Sequence, residues 1–516
     1  MHELYCGIDI GTSSVKAMVY DQDLQCVFSI SGQYEFAPSR RDRAELNPDD
    51  VYSAVVTCLR ACVEHAQGTP LRFISFSSAL HSLIAVDASG RPLTNCITWA
   101  DMRATEFNHF LRSCCEGRIY IKTGCPGHSI YMPGKILWLR EYQPDVYESV
   151  AKFITIKEYV LKQLTGEWVV DYGVASGGGL LNLNDRQWDR ELMEVIGISP
   201  AQLSRLVDGP TVVRMLPDAV QDIGDDIPLV VGSGDGQLAN LGAGALRSGH
   251  FVATIGSSGA IRVFSPEPIL DQQQRTWCYR LDADAYLTGG AINNGGLVLN
   301  WLIENCFKDG AAMARSEKGD IYDILNDYAS DIPAGSNGLL FLPFLTGERS
   351  PDWNSKARGL IIGLSLSHSH KALVKAAMEG IVMRLYANFL ILRELVGDRE
   401  AVVVNGGFTR SRVWLQIMAD IFGTRLLLYE NTVDSTLGAV LMGFKAINRI
   451  ETYDQLDLNL PLKEKVVPSA RNAATYRDLH RLHEEAYTSN THLFEKLYQF
   501  RKDHADKNSN NAEVLL

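Results

Sequence analysis

At 516 residues the chain is too long for one hydrophobic core, so two domains and a terminal extension are expected. Apolar residues make up 46% and charged residues 21%, the balance of an ordinary globular protein. A formal net charge of -12 argues against a nucleic-acid or anionic-membrane partner, and no apolar run approaches the ~18 residues that span a bilayer.

The first element, CGIDIGTSSVKAMVYD (6–21), reads as two strands joined by the turn Gly11-Thr12-Ser13-Ser14. Its Asp9 falls on a core strand, where an unpartnered carboxylate is costly, so a partner is expected. The preceding residues have neither the basic stretch nor the apolar run of a secretory leader. Ten scattered cysteines without a C-x-x-C spacing fit reduced thiols, and together these features predict a cytoplasmic protein.

Next come FISFSS (73–78), a buried strand ending near Leu80-His81, and CITWADMRA, which brings Trp99, Asp101 and Arg103 into one short segment. An aromatic plane beside His, Asp and Arg suits a polyol, whose hydroxyls need charged, bidentate partners. Taken singly, His81 reads as a structural histidine and Trp99 as core. IPLVVGSGD (227–235) is a further strand, and Asp235 stands between glycines where that strand meets a helix. The residue is either an N-cap or a catalytic base open to substrate. GALRSGH (244–250) marks the domain junction.

FVATIGSSG (251–259) begins the second half, and ATIGSSGAIRVFS (253–265) aligns without gaps to IDIGTSSVKAMVY (8–20), setting Thr254 opposite Asp9. AVVVNGG (401–407) is a strand, followed by a helix capped by Ser411 and ended by Gly423, with Trp414, Ile417, Met418 and Ile421 on one face. After about residue 455 a polar amphipathic helix leads to a frayed tail. There HRLHEE (480–485) fits no zinc motif and reads as a solvated helix face.

Neither a G-x-x-x-x-G-K-[ST] loop nor a G-x-G-x-x-G fingerprint is present. Two glycine-and-hydroxyl turns, one per half, suggest a different phosphate cradle. Gly11 and Gly256 admit an anion to backbone N–H groups, while Thr12, Ser13, Ser14, Ser257 and Ser258 add donors. Hydrated Mg²⁺ is then the natural partner of Asp9. Lys16 is either a phosphate neutraliser or a solvent-facing lysine. A decorated hairpin is the plain alternative for the whole segment.

These residues resemble the FGGY carbohydrate kinases over roughly 4 to 455. The resemblance implies an α/β fold of two duplicated ribonuclease-H-like, actin/hexokinase-type ATPase domains with a central cleft: an N-terminal domain over 1–247, a C-terminal domain over 248–455, and a helix with a flexible tail over 456–516. It assigns Asp9, Gly11, Thr12, Ser13, Ser14 and Lys16 to Mg²⁺ and the ATP phosphates, with Asp9 as the metal ligand. Thr254, Gly256 and Ser257 fall near the transferred phosphate, Gly406 and Gly407 against the nucleotide, and Asp235 becomes the general base. His81, Trp99, Asp101 and Arg103, with Asp235, form the sugar site.

LTGERSPDWN (345–354) reads as a loop closing near the nucleotide. Several stretches, including FISFSSALHSLIAVD and INNGGLVLNW, are similar to gluconate-phosphorylating members of the family. An anionic sugar acid calls for a cation, with Arg103, Lys157, His81 and His128 as candidates. ATP and a small sugar or sugar acid are the expected partners, without nucleic acid or membrane, and a homodimer is among the expected assemblies. A pentulose or polyol kinase such as xylulokinase, an actin- or chaperone-type ATPase, and a silent sugar sensor remain as alternatives.

Overall fold

The computed structural model describes all residues except 1–2, 38–42, 67, 218, 221–222, 224–225, 308–320, 431–433, 456–460 and 506–516. The expected tail therefore lies outside the described residues. The chain forms two compact units. One comprises residues 1–249, 263–288 and 429–461; the other comprises 250–262, 289–428 and 462–516.

The first unit is built on a six-stranded sheet in the order Val212–Val213, Leu229–Gly234, Leu71–Ser78, Leu4–Ile10, Ser14–Tyr20, Cys26–Gln33. Its three middle strands are parallel, and they are the nearly continuous apolar runs that burial on both faces requires. Their carboxyl ends fall in register, with Ile10 and Gly234 each opposite Ser78. The Gly11–Ser14 turn, the Leu80-His81 segment and Asp235 thus leave the sheet side by side. The crevice outside the carboxyl ends of parallel strands is where α/β sheets hold their ligands. A separate apolar core, including Leu83, Ile97, Leu111, Ile136 and Phe153, supports the segment that carries Trp99 to Arg103.

Helix Ser435–Ala446 returns from the far end of the sequence to the first sheet. Its approach is too close for side chains at several glycines: a Cβ on Gly7 would overlap the Thr436 carbonyl, one on Gly438 the Leu238 carbonyl, and one on Gly242 would stand 2.6 Å from the Asp434 oxygen. This helix locks the Asp9 strand against helix Asp235–Gly242. Gly438→Ala will lower stability by ~1–3 kcal/mol through overpacking, seen as a lower urea midpoint at unchanged slope.

The second unit repeats the plan. Strands Gly259–Ser265, Phe251–Ile255, Ala401–Asn405 and Arg425–Tyr429 are neighbours in that order, the last three parallel. Thr254 pairs with Asn405, so the 256–258 turn and the 406–410 segment leave adjacent carboxyl ends. The gapless alignment of the two hairpins slips at the turn. Ile10 pairs with Val15 across four turn residues, whereas Ile255 pairs with Gly259 across three. The second turn is one residue tighter.

Helix Arg412–Phe422 has Ser411 as its cap, the side chain accepting from Trp414 N, and Gly423 in the left-handed conformation ends it. Helix Ala470–Ala505 buries Tyr476, His483, Tyr487 and Phe494 on one stripe. HRLHEE is a solvated face only in part: Arg481, Leu482 and Glu485 are exposed, whereas His483 is buried in the stripe through which the helix packs within the second unit.

Candidate active site

Asp9 is opposite Lys16 across the first hairpin and opposite Ser77 in the parallel pair. Ser77 Oγ donates to its Oδ1 at 2.6 Å, and the nearby Ser435 hydroxyl also favours its charged form. Burial, then the neighbouring Asp235 carboxylate, pushes Asp9 up to about 7. These two carboxylates are thus within electrostatic reach of one another, with Asp434 adding to the negative field. Lys16, its side chain 39% exposed, donates from Nζ to Asp434 Oδ2 at 2.6 Å. Asp434 in turn caps helix Ser435–Ala446, its Oδ1 accepting from Thr436 N and Leu437 N.

The Gly11–Ser14 turn is held from three sides. Tyr34 Oη donates to the Gly11 carbonyl at 2.5 Å, Ala79 N donates to the Ile10 carbonyl at 2.8 Å, and Trp99 Nε1 donates to Thr12 Oγ1 at 2.9 Å. Trp99 and Thr12, eighty-seven residues apart in sequence, are therefore directly joined. Asp235 is the first residue of its helix, and Gly234 is the cap, so the Asp235 side chain does not serve as the N-cap. Its Oδ1 accepts from Gly236 N at 2.6 Å.

Asp101 and Arg103 are buried together. Arg103 Nε and Nη2 donate to the two Asp101 oxygens at 2.8 and 2.7 Å, a further bond reaches Glu45, and the guanidinium lies 4.9 Å over the Trp138 ring. Asp101 Oδ2 also accepts from Ala44 N. With two carboxylates on one cation, Arg103 fixes the floor of this segment. Lys157 is fully buried and ion-paired to Asp171, which caps helix Tyr172–Gly178. His128 is buried, its Nδ1 accepting from Ile130 N. His81 adopts a left-handed backbone with φ of 66°, its Nδ1 2.6 Å from the Gly177 carbonyl.

Three site-building residues are not singled out by the sequence. Lys135, buried, donates to the carbonyls of His81, Ile97 and Thr98, clamping the His81 turn to the segment before Trp99. Burial lowers its pKa to about 8. Tyr131 and Tyr279 share a hydroxyl–hydroxyl hydrogen bond of 2.9 Å, with their rings edge-on to His81. The aromatic spacing alone marks them only as core.

In the second unit, Thr254 Oγ1 donates to Asn405 Oδ1 at 2.5 Å, tying the two adjacent strand ends. Gly406 has φ of 99°, and a Cβ there would meet the Ile255 carbonyl at 2.5 Å, so the chain can cross this close only as glycine. A cavity of about 370 Å³ is lined by Gly256 and Ser257 on one side and by Gly407, Phe408 and Ser411 on the other. The glycine-and-hydroxyl turn and the NGGFTRS segment therefore face one pocket of ligand size.

Two α/β units, each with a glycine-and-hydroxyl turn at the carboxyl edge of its parallel strands, define a two-domain ATPase fold of the actin/hexokinase type. Comparison with known proteins sharpens the class. Residues 4–242 match the FGGY family of carbohydrate kinases, N-terminal domain, and residues 251–447 the C-terminal domain of the same family. The chain belongs to the FGGY family and is an ATP-dependent sugar kinase. The gluconokinase of Bacillus subtilis is 38% identical over 495 residues, 93% of this chain and 96% of its own length. The crystal structure of gluconate kinase from Lactobacillus acidophilus superposes with a TM-score of 0.89 at 31% identity, covering 96% of this chain and 100% of that one. That of a ligand-bound xylulose kinase from the same organism gives 0.89 at 32%, with the same coverage.

Among the described residues no group of three His, Cys, Asp or Glu side chains is assembled to hold a metal. Mg²⁺ usually keeps several waters and takes one or two carboxylates plus substrate phosphates. Asp9, an oxygen donor in a field of like charge, is suited to such a cation. No helix among the described residues is long and apolar enough to cross a membrane.

Proposed function

We propose that this chain phosphorylates D-gluconate at O6, giving 6-phospho-D-gluconate, as a cytoplasmic enzyme. The observation that carries the nucleotide half is the cavity shared by Gly256-Ser257 and Gly407–Ser411. The gluconokinase relatives carry the substrate half.

In this reading the pocket holds the nucleotide, with Gly407 against the adenosine and the Gly256 and Ser257 backbone toward its phosphates. The Gly11–Ser14 turn offers further N–H and hydroxyl donors to phosphate. Mg²⁺, held by Asp9, would neutralise charge on the phosphates. Asp235 accepts the proton of the O6 hydroxyl as that oxygen attacks the γ-phosphorus and the bond to the ADP oxygen breaks. Trp99, bonded to Thr12, fixes the wall between the sugar and phosphate groups.

Xylulose is the competing substrate, because the Lactobacillus xylulose kinase matches the chain as well as the gluconate kinase does. ADP release with Mg²⁺·ATP should be rapid with gluconate and weak with xylulose, glycerol or no sugar. Comparable turnover on xylulose would discard the substrate and keep the kinase; turnover indifferent to sugar would discard the acceptor altogether.

A further inference from the structure

We infer that helix Ala470–Ala505, which lies beyond the residues matched by the family, positions the Gly256–Ser258 turn through Glu484 and Arg384. The inference rests on the reading of that turn as a phosphate cradle.

The chain of contacts is continuous within the second unit. Arg384, on the long helix His370–Val396, has a fully buried side chain and faces three carboxylates. Nη1 donates to Glu484 Oε1 at 3.2 Å, Nη2 donates to Asp352 Oδ2 at 2.5 Å, and Nε faces Glu348 Oε2 at 4.0 Å. Two of the three carboxylates belong to the 345–354 loop, and the third to the C-terminal helix. One turn further along, Asn388 Nδ2 donates to the Ser350 carbonyl at 3.2 Å. The loop is thereby pinned to the long helix at two levels.

From the loop the contacts lead to the turn. Glu348 Oε1 accepts from Asn293 N at 2.7 Å, and Asn294 Nδ2 donates to the Gly347 carbonyl at 2.7 Å while its Oδ1 accepts from Thr346 N. The next two residues hold the turn itself. Gly295 N donates to the Ser257 carbonyl at 3.0 Å and Gly296 N to the Gly256 carbonyl at 2.7 Å. A Cβ on Gly295 would stand 2.5 Å from the Ser258 carbonyl, so backbone lies directly on backbone there.

Electrostatics make Glu484 the sensitive end. A fully buried guanidinium needs its full set of partners, and removing one changes how the others sit. Burial disfavours the Glu484 charge, but His483 and Arg384 outweigh it and hold the carboxyl well below its usual range. Lys356, from the same stretch of chain as the loop, also reaches this helix through Glu495 at 2.7 Å. The HRLHEE segment thus contributes a positioning carboxylate, not a metal site.

The test measures ADP binding by calorimetry without sugar, the KM for ATP and for the sugar turned over, and the thermal midpoint, for Glu484→Gln and Asp352→Asn. Gly256→Ala serves as the reference, since nothing lies within 4 Å of a Cβ at that position and the variant folds, yet its methyl stands where an anion approaches. Both network variants should weaken ADP binding and raise the KM for ATP by about three- to tenfold, with the sugar KM unchanged. Unchanged ADP affinity in both, with Gly256→Ala still weakening it, overturns the positioning role and leaves the cradle standing. Unchanged affinity in Gly256→Ala overturns the cradle, and the inference with it. A lowered midpoint with ADP affinity intact assigns Glu484 to stability alone and also overturns it.

Discussion

Asp235→Asn will lower kcat by ~10²–10⁴-fold while leaving the KM for ATP near its original value and the thermal midpoint unchanged or raised. Asparagine has the same shape, and its Oδ1 can accept the Gly236 N–H that Asp235 Oδ1 accepts now. Gly234 caps the helix, so the helix start does not depend on the carboxylate. The exchange also removes one of the charges that raises Asp9, which relieves repulsion in the folded state. What disappears is the carboxylate that, in the proposed mechanism, takes a proton from the sugar hydroxyl. Single-turnover phosphate transfer in the variant is the direct measurement. A rate within tenfold of the parent would remove Asp235 as the base.

Much of this site is legible in the sequence because its parts are local. A strand, a glycine and a run of hydroxyls form a hairpin turn wherever they occur, so both turns and the strand–Asp235–helix junction can be read from residues 8–20, 229–242 and 253–265. The one-residue difference between the turns cannot, because hairpin register follows turn type and loop length, which two similar runs of glycine and hydroxyl residues leave open. Asp9 has near neighbours that the sequence does not place beside it. Ser77, Ser435 and Asp235 surround it, all of them more than sixty positions away.

The charged residues are harder. Arg103 and Lys157 read equally well as cations for an anionic substrate and as halves of buried pairs, since nothing in the sequence distinguishes the carboxylates that meet them, Asp101 and Glu45 for the one and Asp171 for the other, from any other acidic residues. Only the fold shows that each is already paired. Lys135 belongs to no motif in the sequence, yet it binds three carbonyls and sets the His81 turn. The same blindness makes HRLHEE read as solvent-facing helix. Its buried stripe repeats over seven and eleven residues, with polar neighbours between, and Arg384 stands a hundred residues away.

Asp9→Asn should change activity and stability in opposite directions. Turnover will fall by at least about 10²-fold, because the variant loses the oxygen charge that would meet the metal and the developing phosphate charge. Stability of the metal-free protein, measured in chelator, will rise. The folded protein holds Asp9 at about 7, above the ordinary carboxylate value of ~3.9, so between those limits the folded state binds more protons than the unfolded chain. The parent's stability therefore falls as pH rises through that window and levels off above it, while an asparagine at this position carries no such dependence. The variant's advantage is small at pH 5 and opens to roughly 1–3 kcal/mol at pH 8, allowing for water at the site. Ser77 Oγ can still donate to the asparagine oxygen, so the local hydrogen bond is preserved. Urea melts at the two pH values decide the matter. A stability loss at pH 8 would make Asp9 a structural carboxylate, whereas a gain coupled to lost turnover identifies a charge that folding tolerates because catalysis uses it.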